Sequence, residues 1–440
     1  MTRWESSEEE VVRYRPIMAA VLAVAVTALS VSACKSSKSG GTSNSPSGGG
    51  GGGGGGKTLT ISTDLPMQGV SHDASTSTIN AINLYLDQVN HKAGNFTIKL
   101  KTYDDSTAAK GAWDEATCAN NAQAHVANAE EVAVMGTYNS GCAKIEVPVL
   151  NAANMLMVSH ANTNPGLTKK WDPGEPDKYF PSGKRNYARV ITTDDYQGAA
   201  AAQFAAQDLK VKRCAVLNDN QTYGQGVAQA FITEAKNQGI TILGNTAFDA
   251  KQPSYTAIFE KIKAQNPDCI YLGAIYDNNG GQVVKDKFSV LGDNTKVKMM
   301  GPDGYTGYPS TLDKQPEAQG MYMSFAGLST EQLVKGGGAA ASLITAYKAK
   351  YGKNPDTNYA LYGVSAVQVI LAAIAKSDGT RESITNQVFS GAGIDIPADQ
   401  SVLGKEVKID TKTGDTNNKD ISILLMKNNQ ETFFKAQPVL

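Results

Sequence analysis

The sequence predicts an α/β fold with two doubly wound lobes, each built on a parallel sheet. Short apolar segments alternate with amphipathic ones along the chain. This alternation is typical of parallel strands with helices on both faces of the sheet. The alternation occurs twice, and the second series begins near Arg189. About 380 residues follow residue 56, more than one ordinary hydrophobic core holds.

Apolar spacing defines the elements of both series. Ile79, Ile82 and Leu86, for example, recur at the spacing of one helix face, whereas alternating apolar residues at 96–100 indicate a strand. The first series comprises strand 58–66, a helix through 79–89, strand 96–100, a helix over 111–126, and strands 131–136 and 155–159. The second comprises strand 213–219, helix 227–235, strand 240–248, helix 258–264, strand 268–274, helix 283–290 and strand 297–301.

The first 33 residues predict a secretion signal. Arg13 and Arg15 precede the uncharged run 16–33, which ends in small residues, the arrangement of a signal peptide. A short transmembrane helix is the alternative, because the run has nearly the required length. The segment VSAC at 31–34 resembles the lipobox of bacterial lipoproteins. That resemblance implies acylation of Cys34 and an extracytoplasmic protein anchored by lipid to the outer face of the bacterial cytoplasmic membrane.

A linker and a near-neutral body follow Cys34. Residues 35–56 are mostly Gly and Ser, so they cannot bury a core and are expected to act as a flexible tether. The formal net charge of the chain is -1, and basic residues form no block. Nucleic acid is therefore not an expected partner.

Four cysteines beyond Cys34 allow two disulfides, in three possible pairings. We predict Cys118–Cys142 and Cys214–Cys269. Cys214 and Cys269 fall at the starts of two parallel strands of one sheet, while Cys118 lies in a helix and Cys142 follows the next strand. Each pair requires a Cα separation below about 7 Å. Four buried thiols are the alternative.

The candidate site lies where the strands end, because open parallel sheets bind ligands at their carboxyl ends. The residues there are mainly hydroxyls, aromatics and carboxylates, namely 137–141, 160–164, 222–224, 276–277 and Asp303. The four histidines are scattered, and no HExxH or CxxC spacing occurs. These strand-end residues contain no GxSxG elbow and no P-loop. The sequence therefore predicts no metal, no cofactor and no enzymatic activity.

The polar groups at these strand ends suit a zwitterion. Ser140 and Thr163 can donate to a carboxylate, together with free backbone N–H groups at a helix N-terminus. Asp303, in the stretch KMMGPDGY, can bind an ammonium group. Helix capping is the alternative role for Ser140 and Thr163, and turn formation is the alternative for Asp303. We therefore expect an amino acid ligand.

Eight segments resemble, in order, the substrate-binding proteins of branched-chain amino acid ABC transporters, the leucine/isoleucine/valine-binding group of type 1 periplasmic binding proteins. They are DLPMQG, YDDSTAAKGA, GTYNSGCA, VSHANTNPGLT, NDNQTYGQG, PDCIYLGA, MGPDGY and QGMYMS. The resemblance covers nearly all of 57–440. It implies a monomer with two lobes joined by a three-strand hinge, lobe 1 being 57–182 with 319–397 and lobe 2 being 183–318 with 398–440.

The resemblance also assigns roles to individual residues. It implies that Ser140 holds the ligand carboxylate, Thr163 contacts the amino acid head, and the Ala161 carbonyl and Asp303 bind the ammonium. The family often has Glu at the position of Asp303. The implied aromatic contacts are Tyr223 and Tyr276, with Ile275 as the alternative to Tyr276. Tyr138 stands where the family commonly has a small or aliphatic residue, so it would narrow or polarise the side-chain pocket.

The function expected from the sequence is that of a lipoprotein that captures a branched-chain or related amino acid between two lobes. It would deliver this ligand to an ABC permease in the membrane. One alternative is a ligand-sensing lipoprotein of the same fold. Another is the binding of a different small polar solute, such as an amide. An exported enzyme is the third alternative, although the strand ends offer no recognisable nucleophile and base.

Overall fold

The body contains two large sheets with helices on their faces. The computed structural model describes residues 57–439. The strands are β1 Thr58–Leu65, β2 Lys92–Ala93, β3 Phe96–Asp104, β4 Ser106–Thr107, β5 Ala112–Trp113, β6 Glu131–Gly136, β7 Leu156–Ser159, β8 Tyr187–Arg189, β9 Arg213–Asn218, β10 Thr241–Ala247, β11 Cys269–Gly273, β12 Lys298–Gly301, β13 Tyr322–Phe325, β14 Asp395–Ile396, β15 Val407–Lys408, β16 Ser422–Lys427 and β17 Gln430–Ala436. The helices are α1 His72–Gln88, α2 Glu115–Ala127, α3 Ser140–Ala152, α4 Asp194–Gln207, α5 Thr222–Asn237, α6 Thr256–Lys263, α7 Gly280–Leu291, α8 Thr330–Lys335, α9 Gly338–Tyr351, α10 Tyr359–Ala375 and α11 Arg381–Phe389.

The first sheet has the strand order β2-β3-β1-β6-β7-β8. All of its neighbouring strands are parallel except β2 and β3. Strands β6 and β7 are buried along their whole length, as expected for a parallel sheet covered by helices on both faces. The prediction of parallel strands in an α/β fold is confirmed.

The second sheet has the strand order β10-β9-β11-β12-β13-β16-β17. Its first five strands are parallel, and β16 and β17 complete it as an antiparallel hairpin. Strand–helix alternation does not predict this hairpin, because no helix separates its strands. Asn428 and Asn429 form its two-residue turn with φ values of 55° and 60°, the conformation that such turns require.

The chain passes between the two sheets three times: after β8, after β13, and again before β16, which pairs with β13 in the second sheet. Strand β8 pairs in the first sheet, although it precedes the strands of the second. Strand β13 pairs in the second sheet, whereas α10, further along the chain, packs against α1, β6 and β7. Helix α10 is buried almost all round, which its apolar sequence explains. The exact lobe boundaries stay a prediction.

Both predicted disulfides are present. The Cα atoms of Cys118 and Cys142 are 5.6 Å apart, and those of Cys214 and Cys269 are 4.5 Å apart. Cys214 and Cys269 are register partners on the neighbouring parallel strands β9 and β11, which is the strand-start position expected for them.

The described residues contain no helix long and apolar enough to cross a membrane. The predicted signal peptide, the lipidated Cys34 and the linker 35–56 lie outside the described residues.

Candidate functional site

A small cavity lies where the carboxyl ends of strands from both sheets face each other. Its lining residues are Tyr138, Asn139, Ser140, Ala161, Tyr223, Ile275, Asp303, Gly304 and Tyr359. Five of the seven residues that were predicted to contact the ligand therefore line a single cavity. The space open to the centres of water molecules is only about 20 Å³, room for a water or two. A larger ligand requires the two walls to move apart.

Asp303 carries the carboxylate of this cavity. It follows β12 and is only 2% exposed. Its oxygens accept hydrogen bonds from the hydroxyls of Tyr223 and Tyr359 and, at 2.9 Å, from the amide nitrogen of Gln197. Burial raises the pKa of Asp303, and these three hydrogen bonds partly offset the shift. All three donors are uncharged side chains, so they solvate the carboxylate without neutralising it.

The opposite wall is formed by the residues that follow β6 and β7. Ser140 is the first residue of α3, so unpaired backbone N–H groups of that helix point to the same side. Hydrogen bonds of Ser159 and Asn162 connect the loop after β6 to the loop after β7. The Ser159 hydroxyl accepts from the N–H of Asn162 at 2.9 Å, and the Asn162 side chain donates to the carbonyls of Thr137 at 2.9 Å and Tyr138 at 3.0 Å.

Arg189 supports this wall from behind. It is fully buried, pairs with Asp415 at 2.8 Å, and donates to the carbonyls of Asn162 and Asn164 at 2.9 Å each. Thr163 lies between those two residues. The Thr163 side chain is buried and is not part of the cavity lining. Its hydroxyl lies beside the buried carboxyl of Asp194; burial raises the pKa of Asp194, and the hydroxyl of Thr163 partly offsets this.

Aromatic rings close the third side. Tyr138 and Tyr359 meet edge to face with centroids 5.2 Å apart, and His160 contacts both rings at 5.7 and 5.8 Å. Burial lowers the pKa of His160 to about 3, so the imidazole is neutral at physiological pH. Neither of its ring nitrogens has a hydrogen-bond partner among the described residues. Of these three rings, Tyr138 and Tyr359 line the cavity, while His160 packs against them outside the lining.

Tyr276 is not on the cavity wall. Its ring packs against Tyr305 and Tyr308 at 6.0 and 4.7 Å, and the preceding residue, Ile275, lines the cavity instead. Of the two residues named for this ligand contact, Ile275 is therefore the one that lines the cavity, and the contact itself stays a prediction. The next residue, Asp277, accepts from the hydroxyls of Ser71 and Tyr308 at 2.7 Å each.

Two side chains that bind Asp303 were not predicted from the sequence. Tyr359, which lines the cavity, begins α10, and Gln197 lies in α4, whereas the predicted site residues all come from segments that directly follow strands. No local pattern marks either residue. Their position beside Asp303 depends on how α4 and α10 pack across the two sheets.

The matching family model is described as a periplasmic binding protein and covers residues 58–424. The chain therefore belongs to the periplasmic binding protein family, whose members are extracytoplasmic solute-binding proteins rather than enzymes. The prediction that this chain is not an enzyme is confirmed by that membership.

Curated relatives share about a quarter of their residues with the chain. A protein of Rhizobium johnstonii named Leu/Ile/Val-binding protein BraC3 is 28% identical over 66% of this chain and 71% of its own length. A Pseudomonas aeruginosa protein, named leucine-, isoleucine-, valine-, threonine-, and alanine-binding protein, is 26% identical over 56% of this chain and 60% of its own length. The chain thus spans little more than half the length of several curated relatives.

Solved structures share the fold. A leucine binding protein of Thermotoga maritima superposes with a TM-score of 0.70 at 21% identity, covering 86% of this chain and 99% of the other. A solute binding protein of an ABC transporter from Rhodopseudomonas palustris, in complex with 4-hydroxybenzoate, gives a TM-score of 0.70 at 16% identity and covers 87% of this chain and 98% of the other. At these identities the likeness establishes the fold alone.

Proposed function

We propose that this protein binds a free amino acid between its two sheets and delivers it to an ABC permease. The observation that supports this most strongly is the buried carboxylate of Asp303, which faces the hydroxyl and N–H donors at the start of α3 across one small cavity. An α-amino acid carries the two charges that fit these two walls. The names of the curated relatives point to the same ligand class.

The carboxylate of the ligand would bind at the wall after β6 and β7. Ser140 would donate its hydroxyl, and Thr163 would turn its hydroxyl from the neighbouring Asp194 to the ligand. Helix N-termini favour anions because their first N–H groups are free and the helix dipole is positive there. The cross-links through Ser159, Asn162 and Arg189 hold this wall in place before the ligand arrives, which reduces the entropy cost of binding.

The ammonium of the ligand would bind between the Ala161 carbonyl and Asp303. A buried carboxylate solvated only by neutral donors gains most from a cation, because the interaction is screened little at such a site. Tyr223 and Tyr359 would keep the Asp303 carboxylate oriented. Since Asp is one methylene shorter than Glu, the ligand ammonium would lie closer to the backbone that follows β12.

The ligand side chain would extend toward Tyr138, with Ile275 on the opposite wall. Tyr138 brings its ring and hydroxyl to this part of the cavity, and the neighbouring His160 packs against that ring. We therefore expect an amino acid with a planar or polar side chain to bind better than leucine, isoleucine or valine.

Binding would be coupled to closure of the two walls. Asp303 belongs to the segment after β12 in the second sheet, whereas Ser140, Ala161 and Tyr138 follow strands of the first. Only the closed arrangement lets one ligand contact both sets, so the ligand favours closure. We further propose that the permease recognises this closed form, and that acylated Cys34 and the linker 35–56 tether the body to the membrane.

An aromatic acid is the second candidate ligand. The aromatic wall of Tyr138, His160 and Tyr359 favours it, and structures with the same fold bind benzoate and 4-hydroxybenzoate. The buried carboxylate of Asp303 disfavours it, because a benzoate has no cation to pair with that group. Asp303 therefore separates the two candidates.

Calorimetry would test the proposal. The purified chain is unfolded and refolded to remove any ligand carried through purification, and is then titrated with the twenty amino acids, benzoate and 4-hydroxybenzoate. We expect one amino acid class to bind and the benzoates not to bind. Binding of a benzoate alone would overturn the amino acid assignment. Binding of none of these compounds would overturn both candidates and leave only the fold and the family.

A further inference from the structure

A second group of buried charged residues lies in the first sheet, outside the ligand cavity. Asp64 at the end of β1, His125 in α2, Glu131 in β6 and Glu146 in α3 are all fully buried. His125 lies between two of the acids. Its Nε2 is 3.1 Å from Asp64, and its Nδ1 is hydrogen-bonded to Glu131.

Glu146 has no proton donor to bind. Its Oε2 has no hydrogen-bond partner, and its Oε1 lies 3.5 Å from Cys142 Sγ. That sulfur is bonded to Cys118, so it carries no hydrogen. A fully buried carboxyl group without a donor is costly unless something else neutralises it. Glu146 therefore points to a missing positive group.

Three side chains of this group are close enough together to hold one cation. One ligand atom each from Asp64, His125 and Glu146 all lie within 4.8 Å of one another. Ligands at ordinary zinc distances in a tetrahedral site are roughly 3.3 Å apart, so the 3.1 Å between His125 Nε2 and Asp64 Oδ2 is already suitable. Small shifts of Glu146 would complete the set.

We propose that Asp64, His125 and Glu146 form a structural site for a divalent metal ion, with Zn²⁺ as the ion that this mixture of one imidazole and two carboxylates suits best. The ligand set is separate from the cavity at Asp303. Because all three residues are fully buried, the ion would enter as the chain folds and would stabilise the folded state.

The residues around these three ligands have the arrangement of a metal site's outer shell. A metal-binding histidine usually donates its other ring N–H to a carboxylate, which fixes the tautomer. Glu131 accepts from His125 Nδ1 in this way, and Ser62 and Tyr103 in turn donate to Glu131 at 2.6 and 3.0 Å. Asn121 donates to the second oxygen of Asp64 at 3.1 Å.

Protonation is the competing explanation. Burial lowers the pKa of His125, but its hydrogen bonds to Asp64 and Glu131 outweigh that effect and raise it, so a charged imidazole can pair with both acids. Glu146 is close enough to Asp64 for one protonated carboxyl to donate to the other, and burial favours the neutral acid. The two explanations differ for Glu146→Gln. A glutamine replaces a neutral carboxyl group with little change in shape, but it removes the charge that binds a metal ion.

The test measures metal content in the purified chain. The protein is unfolded with EDTA, refolded with or without Zn²⁺, desalted, and assayed for zinc by mass spectrometry and for its melting temperature. A parallel refolding uses Mn²⁺. We expect about one zinc per chain and a higher melting temperature after refolding with Zn²⁺. Glu146→Gln should lower zinc content at least tenfold, whereas the exposed Glu260→Gln should not change it.

Glu131→Gln tests the positioning role, because it removes the charge next to His125 without removing a ligand. We expect zinc affinity to fall about 10–100-fold while some zinc still binds. The wild-type measurement decides the proposal even if a variant fails to fold. Refolded wild-type chain that holds neither zinc nor manganese, with an unchanged melting temperature, would overturn the proposal in favour of protonation. Equal zinc in wild type and folded Glu146→Gln would place any metal elsewhere.

Discussion

Asp303 and Glu146 are both buried carboxylates, but their surroundings differ in one respect. Asp303 accepts hydrogen bonds from three neutral side chains and borders a cavity. Glu146 has no donor, and its neighbours are another carboxylate and a disulfide. The comparison teaches that burial alone does not identify a ligand site. A carboxylate that accepts hydrogen bonds and borders a cavity suits a cation that binds and leaves. A carboxylate that has no hydrogen-bond donor and no access to a cavity suits a cation that stays bound.

The largest expected effect is that of Asp303→Asn on amino acid binding. The substitution keeps the shape of the side chain but removes the charge that would pair with the ligand ammonium. Loss of one partner of a buried charge pair costs about 2–5 kcal/mol, so we expect affinity to fall at least about 30-fold. Calorimetry with the amino acid identified for the wild type measures this loss.

The exposed Asp399→Asn is the matched control for Asp303→Asn and should bind like the wild type. Unchanged affinity in Asp303→Asn would mean that Asp303 forms a turn and does not bind the ligand ammonium. Zinc content after refolding should be the same in both variants, because neither residue belongs to the cluster around His125.

The two disulfides allow a second comparison. Cys118–Cys142 joins α2 to α3, the helices that carry His125 and Glu146. Cys214–Cys269 joins two strands of the second sheet. Replacing both cysteines of either pair with alanine should lower the free energy of unfolding by about 2–4 kcal/mol, as measured by denaturant titration.

Only the first of these two double variants should also lose zinc. The Cys214→Ala, Cys269→Ala variant removes a disulfide of comparable effect far from the proposed metal ligands, so it controls for general destabilisation. Equal zinc content in both variants, when both are folded, would mean that the link between α2 and α3 does not support the metal site.

A smaller effect is expected for Tyr359→Phe. The change removes one of the three donors to Asp303 and keeps the ring that contacts Tyr138. A hydrogen bond to a charged group contributes about 1.5–3 kcal/mol, and the ligand ammonium would replace part of it. We therefore expect affinity to fall about tenfold. An unchanged affinity would show that Tyr359 does not support the charged form of Asp303 in the complex.

Amino acid binding should also weaken in acid. Burial raises the pKa of Asp303 in the free protein, and only the ionised carboxylate can pair with an ammonium. As pH falls through this raised pKa, protons compete with the ligand, and affinity should decrease by up to about tenfold per pH unit. Calorimetry across mildly acidic pH measures the slope. Asp303→Asn should not show it, and an equal slope in that variant would assign the titration to another group.

The sequence predicted much of the ligand cavity because its residues follow strands. Ser140, Ala161, Tyr223 and Asp303 each stand directly after a strand or at the start of the next helix, and the strand-end rule brings such positions together. Tyr138 was predicted for the same reason. The fold was predictable on similar grounds, since apolar spacing marks the strands and helices along the chain.

The remaining features depend on tertiary packing. Tyr359 reaches the cavity only because α10 packs across the first sheet. The proposed metal ligands are residues 64, 125 and 146, so the second and third follow the first by 61 and 82 residues. No short spacing in the sequence marks them. The neighbouring Asp105 directly follows β3, yet both of its carboxylate oxygens are buried and have no hydrogen-bond partner. Local sequence does not reveal which polar side chains meet inside a lobe.

The smallest expected effect is that of Glu146→Gln on amino acid binding, and it tests whether the sites of Asp303 and Glu146 are independent. Glu146→Gln should leave amino acid affinity within about twofold of the wild type, because the residue does not line the ligand cavity and distant sites contribute independently. The measurement is calorimetry on the folded variant with the ligand identified for the wild type. Glu146 lies in α3, the helix that begins with Ser140. A large loss of affinity in the folded variant would therefore mean that the cluster positions the start of α3, and that the two carboxylate sites are coupled through one helix.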